Sequence, residues 1–271
     1  MNVRSVHAGF AESLRWHLSP FLLNGSESPA FTISLYPRPE DIDDDPPTFS
    51  YFIDRMFRGR AEEKWLGDIL GLAIWEIWRA FAIASRDFLL LHAGSVATNG
   101  SGLLIPGEMD SGKSSLTLAL LREGFSYLSD EFGALDPVSA RAYPVERPIA
   151  LDPEGLELFP GLQERLKDKD EIPIRLSRRF VRPHDVGARV SGPTPVRWIV
   201  FPQAWFEGPP RLTQISRAEA VTRLLARAFN ADRYAERALI LLSRIAQDAE
   251  AFELMGGSPL ERAQLLSDSF S

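Results

Sequence analysis

The residues from Gly107 to Ser114, GEMDSGKS, carry the strongest chemical signal in the sequence. They fit the pattern of a glycine, four variable residues, a second glycine, a lysine and a serine or threonine. Glycines let such a loop curl until successive backbone N–H groups point at phosphate oxygens. Lys113 is expected to reach the β- and γ-phosphates, and the hydroxyl of Ser114 is expected to bind Mg²⁺. The pattern therefore predicts a loop that holds a nucleoside triphosphate with Mg²⁺.

Two carboxylates lie inside this loop, at Glu108 and Asp110. Either both point outward, or one of them helps to hold a metal or an acceptor group. Asp110 stands where many such loops have glycine, and aspartate enters the left-handed backbone region more easily than most residues. The turn is therefore expected to form. We expect the phosphate contacts to come from Gly107, Asp110, Ser111, Gly112, Lys113, Ser114 and Ser115.

Four side chains outside the loop are candidates for chemistry. Asp130, at a predicted strand end beside the loop, would face the γ-phosphate and take a proton from a hydroxyl, or it is an acidic turn residue. Glu131 contacts Mg²⁺ or is a solvated neighbour. His92 holds Asp130 or a phosphate oxygen, or it is a satisfied residue of an apolar strand. Arg147 binds a phosphate through its fork of donors, or it forms a surface salt bridge.

The elements that must position these residues can be read from the pattern on either side of the loop. FLLLHAGSVAT and GSGLLIPG predict two strands joined at Asn99-Gly100, because Asn-Gly favours the tight hairpin turn. SLTLALL predicts a helix that starts at Lys113, and its dipole adds to the anion site. GFSYLSDEFGALD predicts one further strand, whose alternation would point Glu131 away from Asp130.

The rest of the chain alternates loosely between strands and helices, which predicts an α/β fold with a mixed sheet. Strands are expected in AFTISLYPRP, PVRWIVFPQAW and AFELMGG. Helices are expected over residues 61–85, where Trp75 and Trp78 would enter the core with Trp65, and in SRAEAVTRLLARAF, DRYAERALILLSRIAQDA and SPLERAQLLSDSF.

The stretch LHAGSVATNGSGLLIPGEMDSGKSSLTLALLREGFSYLSDE resembles the catalytic core of HPr kinase/phosphorylase and of HPr-kinase-related proteins. The resemblance is clear over about residues 90–152, weaker over 197–230, and does not cover the first sixty residues. In that family a histidine precedes the phosphate loop and an acidic pair follows the loop helix. Here Asp130 and Glu131 stand for the pair, with glutamate in place of the second aspartate.

The resemblance implies an HPr-kinase-like, phosphoenolpyruvate-carboxykinase-like nucleotide fold with ATP on the loop. It implies Mg²⁺ held by Ser114 together with Asp130 or Glu131. It further implies Asp130 as the general base for a hydroxyl acceptor and His92 as the catalytic histidine. Related kinases include ring assemblies, so the resemblance allows a homo-oligomer.

These features predict an ATP-dependent kinase whose acceptor is a serine of a protein or peptide, or a small-molecule hydroxyl. The alternative is a nucleotide-gated binding module that transfers no phosphate, in which ATP orders the charged residues 160–193 against a partner. A third option is a simple NTPase. The arginines of that segment form an acceptor or phosphate clamp, or only a solvated loop: Arg175, Arg178, Arg179 and Arg182.

Length and composition set the remaining expectations. The 271 residues allow one large domain or two small ones, and we expect a region of residues 1–60 packed on a kinase domain of residues 61–271. The net charge of -7 argues against binding to nucleic acid backbones. The absence of cysteine excludes disulfides and thiolate chemistry.

The most apolar stretch, residues 65–94, is interrupted by charges such as Glu76 and Arg79, so no membrane partner is expected. The N-terminus lacks the apolar core of a signal peptide, and a cytoplasmic location is expected.

Overall fold

The structure is a computed structural model that describes residues 2–5, 8–21, 32–36, 48–53, 56–62, 66–108, 110–166, 179–204 and 207–270. The chain divides into two compact units. One comprises Met1–Phe81 with Lys167–Arg179, and the other comprises Ala82–Leu166 with Phe180–Ser271. Every candidate site residue named in the loop and around it belongs to the second unit. The division at residue 60 stays a prediction.

The first unit contains a four-stranded sheet in the order β1-β2-β3-β4. The first two strands are parallel and the others antiparallel. Its strands and helices, in chain order, are β1 Asn2–Ser5, α1 Ala8–Leu18, β2 Thr32–Tyr36, β3 Thr48–Ile53, β4 Met56–Glu62 and α2 Leu66–Ala84, the last of which runs three residues past the unit's boundary.

Helix α2 buries one apolar face, which includes Ile74, Ile77 and Trp78. Trp75 is 58% exposed, so its predicted place in the core is wrong. The reason is periodicity, since Ile74 and Trp78 are four residues apart on the buried face and Trp75 is turned away from them. Trp65 lies outside the described residues.

The second unit is built on an eight-stranded mixed sheet in the order β13-β14-β12-β6-β5-β8-β9, with β7 also paired to β5. Strands β10 and β11 form a separate two-stranded sheet. The strands are β5 Leu89–Thr98, β6 Ser101–Pro106, β7 Ser126–Ser129, β8 Phe132–Leu135, β9 Arg141–Tyr143, β10 Ile149–Leu151, β11 Arg179–Val181, β12 Thr194–Pro202, β13 Arg211–Gln214 and β14 Glu250–Met255, of which β11 begins at the last residue of the first unit.

Helices cover both faces of this sheet. They are α3 Lys113–Arg122, α4 Pro153–Glu157, α5 Leu162–Leu166, α6 Arg217–Leu225, α7 Ala231–Tyr234, α8 Glu236–Asp248 and α9 Pro259–Phe270. Leu103 and Ile105 of β6 share a buried cluster with residues of α3 and α9. Leu104, between them, joins the cluster that contains residues of α6 and α8. A strand buried on both faces reads as a continuous apolar run, which is why LLIP carries no alternation.

The prediction of an α/β protein with a large mixed sheet is confirmed. Strand β12 pairs in parallel with β6 and β14, whereas β5 and β6 form an antiparallel hairpin. The hairpin turns at Asn99 and Gly100, both with positive φ, as the Asn-Gly pair predicts.

One predicted helix is divided in two. DRYAERALILLSRIAQDA breaks at Ala235, whose φ of 46° and ψ of -124° separate α7 from α8. Alanine has no local preference for that conformation, so the break is a tertiary effect that the pattern does not signal.

Arg262 of α9 is the largest fully buried side chain of the chain's described part, at 1% exposure. Its Nε donates to the carbonyl of Gly256 (2.7 Å), and its Nη2 donates to the carbonyl of Gln203 (3.0 Å). We expect Arg262→Met to lower the free energy of unfolding by about 2–4 kcal/mol, because two carbonyls lose their donors. Urea denaturation measures the change, and Arg237→Met, at an exposed position of α8, is the control. An equal loss of stability in the two variants would contradict a stabilising role of the buried Arg262 contacts.

Candidate functional site

The predicted phosphate loop connects β6, which ends at Pro106, to α3, which begins at Lys113. The chain reverses through two left-handed residues, Asp110 with φ 61° and Gly112 with φ 80°. The expectation that aspartate can occupy this position is confirmed. No side chain of the described residues caps α3, so the N–H groups of its first turn are directed at the loop without a competing side-chain acceptor.

Gly107 allows the loop to close tightly. A Cβ at this position would collide with Oγ of Ser111 and lie 3.4 Å from the side chain of Lys113. Ser111 in turn donates its hydroxyl to the carbonyl of Glu108 at 2.8 Å and its N–H to the same carbonyl at 3.3 Å. The tight turn at the start of the loop therefore requires a residue without a side chain at position 107.

Lys113 is buried and its ammonium group donates to the main-chain carbonyl of Glu108. Burial lowers the pKa of Lys113, the carboxylates of Glu131 and Asp130 raise it, and the charge of Arg227 lowers it again. The lysine thus lies among the two predicted carboxylates and an arginine, Arg227, that belongs to no motif of the sequence.

Asp130 lies directly beside the loop helix. Its Oδ2 accepts a hydrogen bond from the hydroxyl of Ser114 (3.1 Å) and one from the N–H of Ala150 (3.4 Å). The residue is 1% exposed, and its Oδ1 has no hydrogen-bond partner among the residues that the structure describes. Burial raises the pKa of Asp130, against the opposing charge of Arg147. A buried oxygen without a hydrogen-bonded partner is a natural place for a metal ion or for a proton.

Glu131 is held between two basic side chains. Its Oε1 lies 3.1 Å from Nε2 of His92, and its Oε2 lies 3.2 Å from Nη1 of Arg147. Burial alone would raise the pKa of Glu131, but the hydrogen bond from His92 and the charge of Arg147 lower it to about 2. His92 therefore contacts Glu131 rather than Asp130.

The prediction that Glu131 points away from Asp130 is wrong. The single strand predicted for residues 124–136 is interrupted, since β7 ends at Ser129 and β8 begins at Phe132. The hydroxyl of Ser129 accepts from the N–H groups of Phe132 (3.1 Å) and Glu131 (3.4 Å), which turns the chain. Strand alternation does not apply to such a bend, and both carboxylates reach the same arginine.

Arg147 is the arginine that joins them. Its Nε lies 3.8 Å from Oδ1 of Asp130, and the buried hydroxyl of Tyr127 donates to its carbonyl at 2.8 Å. Its own N–H donates to the carbonyl of Val145 at 2.8 Å. Burial alone would lower the pKa of Arg147, but the charges of Asp130 and Glu131 outweigh it and raise the pKa above its ordinary value. The guanidinium is therefore charged. The alternative of a surface salt bridge is excluded by its burial.

His92 is fixed by main-chain bonds on both sides. Its N–H donates to the carbonyl of Arg227 (2.7 Å), and its carbonyl accepts from the N–H of Gly107 (3.4 Å). Its ring lies 5.4 Å from the ring of Phe229, centroid to centroid. Strand β5, the loop and the segment after α6 therefore meet at this histidine.

The segment after α6 was predicted as helix and is not. Helix α6 ends at Leu225, and the following residues pair with β5 through the N–H of Phe229 and the carbonyl of Leu90 (2.8 Å). Asn230 completes the attachment, because its Oδ1 accepts from the N–H of Leu90 (2.9 Å) and its Nδ2 donates to the carbonyl of Phe88 (3.0 Å). A buried asparagine directly after a helical pattern is the one local signal for this turn.

Ser115 and the basic segment are the two remaining groups that the sequence predicts. The hydroxyl of Ser115 faces α4, since a Cβ on Gly155 would approach it to 2.9 Å, so only its backbone is directed at the loop. Of the basic segment, Arg175 and Arg178 lie outside the described residues. Arg182 begins the short 3-10 turn Pro183–Val186, and its N–H donates to Asp185 at 2.9 Å.

Glu131 should make stability depend on pH in a defined direction. A carboxylate whose pKa falls on folding stabilises the fold above its unfolded pKa of about 4.3 and loses that contribution as the pH falls towards 2. We expect Glu131→Gln to be less stable than the parent at pH 7, and the difference to shrink between about pH 4.3 and pH 2. Urea titrations at several pH values measure it, with exposed Glu236→Gln as the control. A stability difference between Glu131→Gln and the parent that stays constant down to pH 3 would contradict the charged contacts of Glu131 with His92 and Arg147.

Comparison with known proteins yields no match, either to a family model or to a curated protein. None of the helices in the described part of the chain has the length and apolar character needed to cross a membrane. Across the same residues there is no group of three or more histidines and carboxylates that forms a complete metal site. The geometry of the loop, Asp130, Glu131, His92 and Arg147 therefore supplies the grounds for a function.

Proposed function

We propose that this protein is an ATP-dependent kinase of the HPr-kinase-like type that transfers the γ-phosphate to a hydroxyl acceptor. One observation carries the proposal: the buried carboxylate of Asp130 accepts a hydrogen bond from the loop hydroxyl of Ser114 at 3.1 Å. A phosphate loop by itself predicts only a nucleotide site. A carboxylate in contact with its serine adds a base next to the position of the terminal phosphate.

In this proposal the nucleotide's phosphates bind to backbone N–H groups of Asp110 and of residues 112–115, with Lys113 as the cation. Gly107 and Ser111 shape the loop, since their N–H groups already donate to the carbonyls of His92 and Glu108. Lys113 exchanges its bond to the carbonyl of Glu108 for phosphate oxygens. Burial favours that exchange, since a desolvated ammonium group interacts more strongly with a charged phosphate than with a neutral carbonyl.

The residues fit a Mg²⁺ ion that arrives with ATP. Ser114 and Asp130 present a hydroxyl and a carboxylate side by side, and the Oδ1 of Asp130 has no hydrogen-bond donor among the described residues. Two protein ligands suffice, because Mg²⁺ takes its other ligands from phosphates and water. When bound, the ion would neutralise charge on the β- and γ-phosphates. Glu131 is already paired with His92 and Arg147, so we propose for it a role through water or through Arg147.

Asp130 would act as the general base. The acceptor O–H gives its proton to the carboxylate while its oxygen forms a bond to the γ-phosphorus, and the bond from phosphorus to the β-phosphate oxygen breaks to release ADP. Arg147, fixed by Tyr127, positions Asp130 and Glu131, and His92 holds Glu131 in place.

The sheet supports the HPr-kinase-like fold as part of this proposal. An antiparallel hairpin leads into the loop, and the loop strand β6 is flanked on its other edge by the parallel strand β12. We propose a cytoplasmic location, where ATP is available, and an acceptor that is a serine of a protein or peptide or a small-molecule hydroxyl.

Paired labelling experiments test the function. The protein is incubated with Mg²⁺ and ATP labelled either at the γ- or at the α-phosphate, in the presence of serine peptides, their Ser→Ala counterparts and small polyols. A kinase transfers only the γ label, and only to hydroxyl-bearing acceptors. ATP binding without transferred label would instead support the nucleotide-gated binding module. Phosphate released to water at a rate independent of every acceptor would support the simple NTPase.

A further inference from the structure

Arg227 lies beside the loop although no motif points to it. It belongs to the segment between α6 and α7 that pairs with β5, and its carbonyl accepts the N–H of His92 at 2.7 Å. Its side chain turns to the loop, where Nη2 lies 2.7 Å from Oε1 of Glu108. Main-chain bonds thus fix the residue independently of what its guanidinium contacts.

Glu108 contacts two cations of the site at once. Its carbonyl accepts from the ammonium group of Lys113, and its carboxylate pairs with Arg227. The charge of Arg227 is near enough to Lys113 to lower the pKa of that lysine. Two positive side chains therefore converge on one residue of the loop, and the oxygens that they contact belong to the loop itself.

The Arg227–Glu108 pair is of a kind that exchanges easily. The Glu108 side chain is 75% exposed and that of Arg227 is 30% exposed. Ion pairs in contact with water contribute little to stability and are screened by salt. A polyphosphate brings several charges and oxygens spaced for a guanidinium fork, so it competes well against one solvated carboxylate.

We propose that Arg227 is a second phosphate-binding cation of this site and that Glu108 is its exchangeable counter-ion. The proposal rests on the proposed function only in requiring that a polyphosphate binds the loop. In it, Glu108 competes with the ligand for Arg227 and so weakens binding of anything with fewer charges than a polyphosphate tail. One of the loop carboxylates thereby gains a role that is neither metal binding nor simple exposure.

A double-mutant cycle of Arg227 and Glu108 tests this proposal. The readout is the affinity for Mg²⁺·ATP and for Mg²⁺·tripolyphosphate, measured by titration calorimetry. We expect Arg227→Gln to weaken both ligands about tenfold, since a charge-assisted contact is lost. We expect Glu108→Gln to tighten both about threefold, since the competitor is removed. In the Arg227→Gln background, Glu108→Gln should have no further effect.

Charge-matched controls are Arg237→Gln, an exposed arginine of α8, and Glu219→Gln, an exposed partner in the Arg223 pair of α6. If Glu108→Gln tightens ligand binding equally in the parent and in the Arg227→Gln background, the effect comes from net charge alone, and the proposal is overturned. Binding that is insensitive to Arg227→Gln, or altered for ATP but not for tripolyphosphate, would overturn it as well. These results differ from failure of the kinase function, in which the parent protein binds both ligands normally and transfers no label.

Discussion

We expect Lys113→Ala to abolish the protection against unfolding that Mg²⁺·ATP is proposed to give the protein. We expect the Kd for ATP to rise at least about 100-fold, which corresponds to about 2.7 kcal/mol. The reason is the position of the ammonium group, which is buried at the start of α3 beside the loop, where a charge interacts strongly with phosphate. Alanine is a strong helix former, so the helix itself should persist.

The measurement is the shift of the unfolding temperature with ATP concentration, supported by calorimetry. Arg122→Ala, at the exposed far end of the same helix, removes the same charge and should bind ATP as the parent does. Unchanged ATP protection in Lys113→Ala would show that the phosphates bind elsewhere.

Asp130→Asn should separate activity from stability. Transfer of the γ-phosphate is expected to fall by about 10²–10⁴-fold, because asparagine cannot accept the proton. The same variant should be more stable than the parent at pH 7. Burial raises the pKa of Asp130, so its carboxyl stabilises the fold when protonated and loses that contribution as the pH rises through its folded pKa.

The advantage of the asparagine variant should therefore disappear as the pH falls below about 4, the unfolded pKa of aspartate. Asp136→Asn is a control of opposite sign. Hydrogen bonds from Ser139 and from the N–H of Val138 lower the pKa of Asp136, so its replacement should destabilise at pH 7. If Asp130→Asn transfers the γ-phosphate as fast as the parent does, Asp130 is not the general base. Lower stability at neutral pH would show that the pairing with Arg147 outweighs burial.

The parts of the site predictable from sequence are those that local chemistry decides. The loop, the helix from Lys113 and the hairpin at Asn99-Gly100 depend on glycine conformation and on turn preference over a few residues. The position of Asp130 beside the loop was predictable because a short connection after α3 returns the chain to a strand next to the loop. These elements appear with the expected bounds.

What could not be predicted depends on contacts between segments distant along the chain. Glu131 faces Arg147 because the hydroxyl of Ser129 turns the backbone, which strand alternation ignores. Arg227 reaches the loop because β5 offers an edge for pairing at Leu90 and Leu91, which overrides the helical pattern after Leu225. Side-chain partners of this kind follow from the fold and not from spacing in the sequence.

The hairpin that leads into the loop has a practical consequence. Its tip at Asn99 and Gly100 is exposed, and a Cβ at Gly100 would meet no atom within 4 Å. Strand β6 then spans six residues, about 20 Å, before Gly107. A cysteine placed at residue 99 would be the single thiol of the chain, so a fluorophore attached there would label the protein at one defined point and leave the residues of the loop unchanged.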